Sequence, residues 1–100
     1  MCRRGPLDRS KPFLSAFPNP TRSGLIIDYS ITSSARTRVR IYDAAGKLVA
    51  NLADAPRLRG RYTLRWSGLG PRNERPAAGV YFVQLESGDV RLARKFVIQN

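Results

Sequence analysis

One hundred residues with 42% hydrophobic content are enough for one small domain with a core of its own, and too few for two. Eighteen basic against seven acidic side chains give a formal net charge of +11, which nominates polyanions as a partner class, although no run of five or six like charges occurs. Histidine is absent and cysteine occurs once, at Cys2, so an intrachain disulfide, a Cys–His dyad and a Cys/His zinc cluster are excluded.

Residues 1–16 read as a basic linker, with Arg3, Arg4, Arg9 and Lys11 broken up by Pro6 and Pro12 and without apolar periodicity. No apolar segment follows the basic residues of 1–15, so this stretch does not read as a secretory signal peptide. Nothing in the chain approaches the roughly 18 consecutive apolar residues of a membrane span. Phe13 and Phe17 are available to dock onto the body, which is expected over residues 17–100. Pro18-Asn19-Pro20 fixes two φ angles and marks an opening turn.

Strand patterns follow at short spacing. From Leu25 to Ile31 the chain alternates, with Ile27, Tyr29 and Ile31 on one face and Asp28 and Ser30 on the other. Thr37 to Asp43 alternates too, Val39 and Ile41 against Arg38 and Arg40. Asp43-Ala44-Ala45-Gly46 is a hairpin turn, with Gly46 suited to positive φ. Leu48, Val49 and Leu52 form the return strand, and residues 53–59, with Pro56, read as a loop. Gly60 opens a further strand with Tyr62, Leu64 and Trp66 on one face and Arg61, Thr63 and Arg65 on the other. Residues 67–78 read as a long loop. Two apolar runs flanking Ser87-Gly88-Asp89 then predict a closing hairpin whose first strand, apolar on both faces, is expected to be central or covered on both sides. No stretch of ten residues carries a helical apolar stripe, so the pattern predicts an all-β, antiparallel sandwich.

The chemistry available to such a domain is limited. The carboxylates are Asp8, Asp28, Asp43, Asp54, Glu74, Glu86 and Asp89, and no spacing pairs two of them as a general acid and base. Asp43 and Asp89 sit at turns, where a carboxylate normally accepts from nearby backbone N–H groups. No Gly-rich phosphate loop follows a strand. The expectation is a domain with no catalytic, cofactor-binding or metal-binding residues. Arg38, Arg40, Arg61, Arg65, Arg91 and Lys95 all oppose apolar faces and would make one basic sheet face if their strands were neighbours. Tyr29, Tyr62, Trp66 and Tyr81 fall with the apolar sets instead, so the aromatic platform of a single-strand nucleic-acid binder is missing and nucleic acid is disfavoured as a partner. Trp66 reads as a core residue.

Taken in order, Pro18-Asn19-Pro20, Ile27-Asp28-Tyr29, Val39 to Val49, Gly60 to Trp66, Ala78 to Val83 and Arg94 to Ile98 resemble the type A C-terminal sorting domains of the type IX secretion system. They also resemble the related immunoglobulin-like domain of the flagellar hook-capping protein. Two details depart from the pattern: Trp66-Ser67-Gly68 stands where the family has Trp-Asp-Gly, and the opening motif lacks the longer Pro-Asn-Pro-Phe-Asn-Pro form.

The resemblance implies an immunoglobulin-like sandwich of about seven strands. It implies a non-catalytic label at the end of an exported passenger, so the chain is expected to close a longer precursor bound for the cell surface or medium. The implied partners are an outer-membrane translocon, a sortase-like protease and lipopolysaccharide. A structural accessory module and a polyanion-binding domain are the alternatives. Recognition is expected at Lys95, Phe96, Val97 and Ile98, with Pro18, Asn19, Pro20, Gly46, Trp66, Gly79 and Tyr81 as structural positions.

Overall fold

The computed structural model describes residues 11–70 and 72–99. Within them lie seven strands and no helix: β1 (Phe13–Phe17), β2 (Leu25–Ile31), β3 (Ala35–Asp43), β4 (Leu48–Arg57), β5 (Gly60–Trp66), β6 (Gly79–Ser87) and β7 (Val90–Ile98). Residues 1–10, with Cys2, Asp8 and most of the expected linker, lie outside the described residues.

The strands form a three-stranded sheet in the order β1-β2-β5 and a four-stranded sheet in the order β4-β3-β6-β7, with every pair of neighbours antiparallel. The sheets pack face to face as an immunoglobulin-like sandwich. The period-two pattern decides which side chains meet between them. Leu14, Leu25, Ile27, Tyr29, Ile31 and Trp66 come from one sheet, and Val39, Ile41, Tyr81, Val83, Leu85, Phe96 and Ile98 from the other. β6 is central, between β3 and β7, as its two apolar faces predict.

The core also holds a polar pair. Thr37 and Ser87 face each other across β3 and β6, their hydroxyls 3.0 Å apart, and Thr37 also donates to Ala35 O at 3.2 Å. Both residues are buried, so mutual satisfaction is what makes their desolvation tolerable.

Local chemistry accounts for the connections. In the β3–β4 turn, Asp43 Oδ1 accepts from the backbone of Ala45 and Lys47, both at 2.9 Å, and Gly46 takes φ +87°. Tyr62 donates its hydroxyl to Leu58 O, and Tyr81 donates to Ala77 O at 2.6 Å. Each ring is thereby anchored to the loop four residues upstream, in the manner of the tyrosine corner of immunoglobulin folds. Gly24 and Gly68 bring the start of β2 against the chain leaving β5; a Cβ on Gly68 would lie 2.5 Å from Gly24 N.

Three sequence expectations need correction. The first strand begins at Phe13, four residues before the expected start of the body, because Leu14 reaches the core and β1 adds to the edge of β2. Residues 53–57 are strand, not loop. Pro56 is tolerated because β4 is an edge strand whose outer N–H groups face no partner. The six basic residues do not share one face. Arg61 and Arg65 belong to the three-stranded sheet, and Arg38, Arg40, Arg91 and Lys95 to the four-stranded sheet, so the two sets face away from each other.

Candidate functional site

β7 has β6 on one side and no named strand on the other. In an antiparallel pair the backbone groups of alternate residues point away from the partner strand. In β7 these belong to Arg91, Ala93, Lys95 and Val97, because Val97 and Lys95 bond outward, to the segment joining β1 and β2. Asn19 Nδ2 donates to Lys95 O at 3.3 Å, and Val97 N donates to Asn19 Oδ1 at 3.0 Å. Two residues on, Thr21 N donates to Val97 O at 2.9 Å and Gln99 N donates to Thr21 O at 2.8 Å, making a parallel bridge between Thr21 and Ile98.

The side-chain amide of Asn19 thus stands in for the peptide group of a neighbouring strand, offering one donor and one acceptor to the edge. Pro18 and Pro20 flank it and contribute no N–H; both follow cis peptide bonds. Pro18, Asn19 and Pro20 are all exposed, and together with Thr21 they form a strap over the far part of the β7 edge. Asn19 was expected only as part of a turn. The signal in the sequence is an amide side chain held between two residues that cannot donate.

The four expected recognition residues are divided by the pleat. Lys95 is exposed on the outer face of the four-stranded sheet, opposite Phe82, and Val97 is half-buried on that face, opposite Val80. Phe96 has 0% exposure and Ile98 8%, and both point into the core. The Phe96 ring meets Trp66 edge-on at 6.1 Å and stacks on Tyr81 at 5.9 Å. Trp66 is buried, with Nε1 donating to Leu69 O at 3.0 Å. Gly79 opens β6, paired with Ile98. Gly46 stands apart, in the β3–β4 turn.

The charges across the four-stranded sheet are unevenly balanced, with one cluster on β3 and β4 and another on β6 and β7. Arg36, Arg38 and Arg40 converge on Asp54 at 2.9, 3.4 and 3.9 Å. Partial desolvation opposes ionisation of Asp54, but the guanidinium groups of Arg36 and Arg38 outweigh it and hold the carboxyl below its usual range. Arg91 lies 3.5 Å from Glu86. Arg94 and Lys95 form no ion pair among the described residues; Arg94 donates to Ala93 O at 2.9 Å. Beyond the strap, Arg22, Trp66, Arg75 and Gln99 line a cleft of about 290 Å³.

No three His, Cys, Asp or Glu side chains come together among the described residues. Asp28 accepts from the Thr63 hydroxyl at 2.7 Å, and Asp43 is committed to its turn. The groups that the fold gathers at the β7 edge are backbone hydrogen-bonding groups and cations, which suit binding.

The fold is shared with two solved structures from Porphyromonas gingivalis. One is PorZ, described as an essential bacterial surface component of the type IX secretion system, with a TM-score of 0.63 at 22% identity over 87% of this chain. The other is dimeric latent PorU, with a TM-score of 0.64 at 19% identity, also over 87% of this chain. The chain spans about a tenth of each, 11% of PorZ and 9% of PorU. No curated protein matches it in sequence. The family model for the secretion system C-terminal sorting domain matches residues 15–99, which takes in all but the first two residues of β1 and every other strand. With that match spanning the sandwich and the β7 edge alike, the chain belongs to the C-terminal sorting domains of the type IX secretion system.

Proposed function

We propose that this domain is a non-catalytic address that carries a covalently attached passenger through an outer-membrane translocon to the cell surface or the medium. The reading rests on one observation: the family match spans all but the first two residues of the sandwich's strands and includes β7, an edge strand and the last of the seven. A translocon component would read the outer face and edge of β7, with Lys95 and Val97 as contact side chains. Phe96 and Ile98 would act by holding β7 in register against the core. Removal of the domain by a sortase-like protease and attachment of the passenger to lipopolysaccharide belong to the same proposal.

The test is a fluorescent passenger with its own inner-membrane signal, fused to residues 11–100 and expressed in a bacterium that has this secretion system. The expected result is passenger on the surface or in the medium, and retention in the periplasm when residues 96–100 are deleted. A complete fusion that stays in the periplasm while resident cargo is exported overturns the proposal. So does export that survives the deletion.

A further inference from the structure

Between its turn and the strap, β7 has a short run of backbone groups without a backbone hydrogen-bond partner among the described residues, although β1 of the other sheet lies close by. The outward-pointing groups there are Arg91 N and O, Ala93 N and O, and Lys95 N, by the same alternation that turns Lys95 O and Val97 to the strap. The strand is regular along its whole pairing with β6, without a bulge. The other edge of this sheet is different: β4 carries Pro56, and its pairing with β3 has two register shifts, both features that blunt an edge. The four-stranded sheet therefore has one blunted edge and one that can accept a strand.

We propose that the β7 edge from Arg91 to Lys95 receives an extended, acidic strand from a partner protein, and that the Asn19 strap sets where that strand must stop. This deepens the sorting proposal by naming the chemistry of the reader, and it rests on that proposal for its biological setting.

The argument for an acidic partner is electrostatic. Arg91 and Lys95 project from the outer face of β7, and Arg94 leaves the opposite face but curls to the edge, where its guanidinium meets Ala93 O; among the described residues Arg91 alone of the three has an ion-pair partner, Glu86. A second copy of this chain, carrying a net charge of +11, would bring the same cations against themselves, so edge-to-edge self-pairing is disfavoured. A strand with carboxylates at alternate positions presents them on one face, against Arg91 and Lys95, with the Arg94 guanidinium at the edge between the strands. Ala93 stands between Arg91 and Lys95 on the outer face and leaves room for a larger side chain. Ala93 O now accepts from the Arg94 guanidinium. A partner carboxylate would draw that guanidinium away and free the carbonyl for a ladder bond. Beyond Lys95 N the row is closed, because Asn19 holds Lys95 O and Val97 N.

The experiment uses the full chain, isotope-labelled, with two acetylated and amidated hexapeptides as probes, one alternating glutamate and threonine and the other alternating lysine and threonine. The expected result is that the glutamate peptide alone slows amide exchange at Arg91, Ala93 and Lys95, and that its binding weakens with added salt. Arg94→Glu should weaken it about fivefold or more, the scale of an exposed ion pair lost and a like-charge pair gained. Ala93→Pro should abolish the protection by removing a central donor. Trp66 emission verifies that each variant is folded. If Ala93→Pro does not fold, Arg94→Glu together with the exchange map decides.

Three results overturn the inference: equal binding of the lysine peptide, protection confined to the Arg22 and Arg75 cleft or to Arg36–Arg40, and no protection at the β7 edge. In the fusion assay, export that survives Arg94→Glu and Ala93→Pro but fails on deletion of residues 96–100 also overturns it, and leaves the sorting proposal standing.

Discussion

Replacing Phe96 by alanine separates a core role from a recognition role. Its ring is fully buried between Trp66 and Tyr81. Truncating a buried phenylalanine costs about 3–5 kcal/mol, through lost transfer energy and the cavity left behind. A domain of 100 residues has a stability of about 5–15 kcal/mol, and one this small belongs at the lower end. The variant should therefore keep about 2 kcal/mol or less, or be unfolded outright. Trp66, the single tryptophan, has its ring centroid 6.1 Å from that of Phe96, so its emission during urea unfolding reports the change directly. With a slope of about 1–3 kcal/mol per molar urea, the midpoint should fall by about 1–5 M or the transition should vanish. Lys95→Ala, one residue away but exposed, should stay within about 0.5 kcal/mol of the parent. A Phe96→Ala loss below about 1 kcal/mol refutes the placement of this ring in the core.

Asn19→Ala removes two exposed hydrogen bonds from the β7 edge, and water replaces them in part, so the expected loss is about 1 kcal/mol, or roughly 4–8 °C in thermal midpoint. Amide exchange at Val97 should accelerate in that variant but not in Asn19→Asp, which keeps the acceptor; unchanged exchange in both contradicts the strap. Thr37→Val strands the buried Ser87 hydroxyl and should cost about 1–3 kcal/mol, with much of it recovered in Thr37→Val/Ser87→Ala, a cycle read by urea denaturation. The Asp54 carboxyl is held below its usual range when folded, so its contribution is present above about pH 3.9 and is lost as pH falls through the lower folded value. Thermal midpoints between pH 2 and 6 should therefore drop less steeply for Asp54→Asn than for the parent.

The elements most legible in the sequence are those with one wet face. β2, β3 and β5 alternate because one side meets the other sheet and one side meets solvent, and Asp43 with Gly46 marks the turn between β3 and β4. β6 is legible by the opposite sign, since a central strand tolerates apolar residues on both faces. β1 was obscured because it has five residues and commits only Leu14 fully to the core. The far half of β4 was obscured because Pro56 reads as a breaker unless the strand is known to lie at an edge. Sheet membership has no periodic signature, which is why the basic residues looked like one face until the strand order divided them. At the candidate site, period two divides the run from Lys95 to Ile98 into alternating sides, so four consecutive residues cannot all face a partner. The Asn19 bonds span 76 and 78 residues of sequence, beyond the reach of any local pattern.

The bridge between Thr21 and Ile98 has a mechanical consequence. The two segments run in the same direction, so a load drawing the chain apart from upstream of Phe13 and downstream of Ile98 pulls them oppositely along their length. The Thr21–Val97 and Gln99–Thr21 bonds then bear tension side by side and must rupture together, instead of parting singly as a zipper does. Cargo towed through a narrow passage by this domain would find its tether strongest along the line of pull.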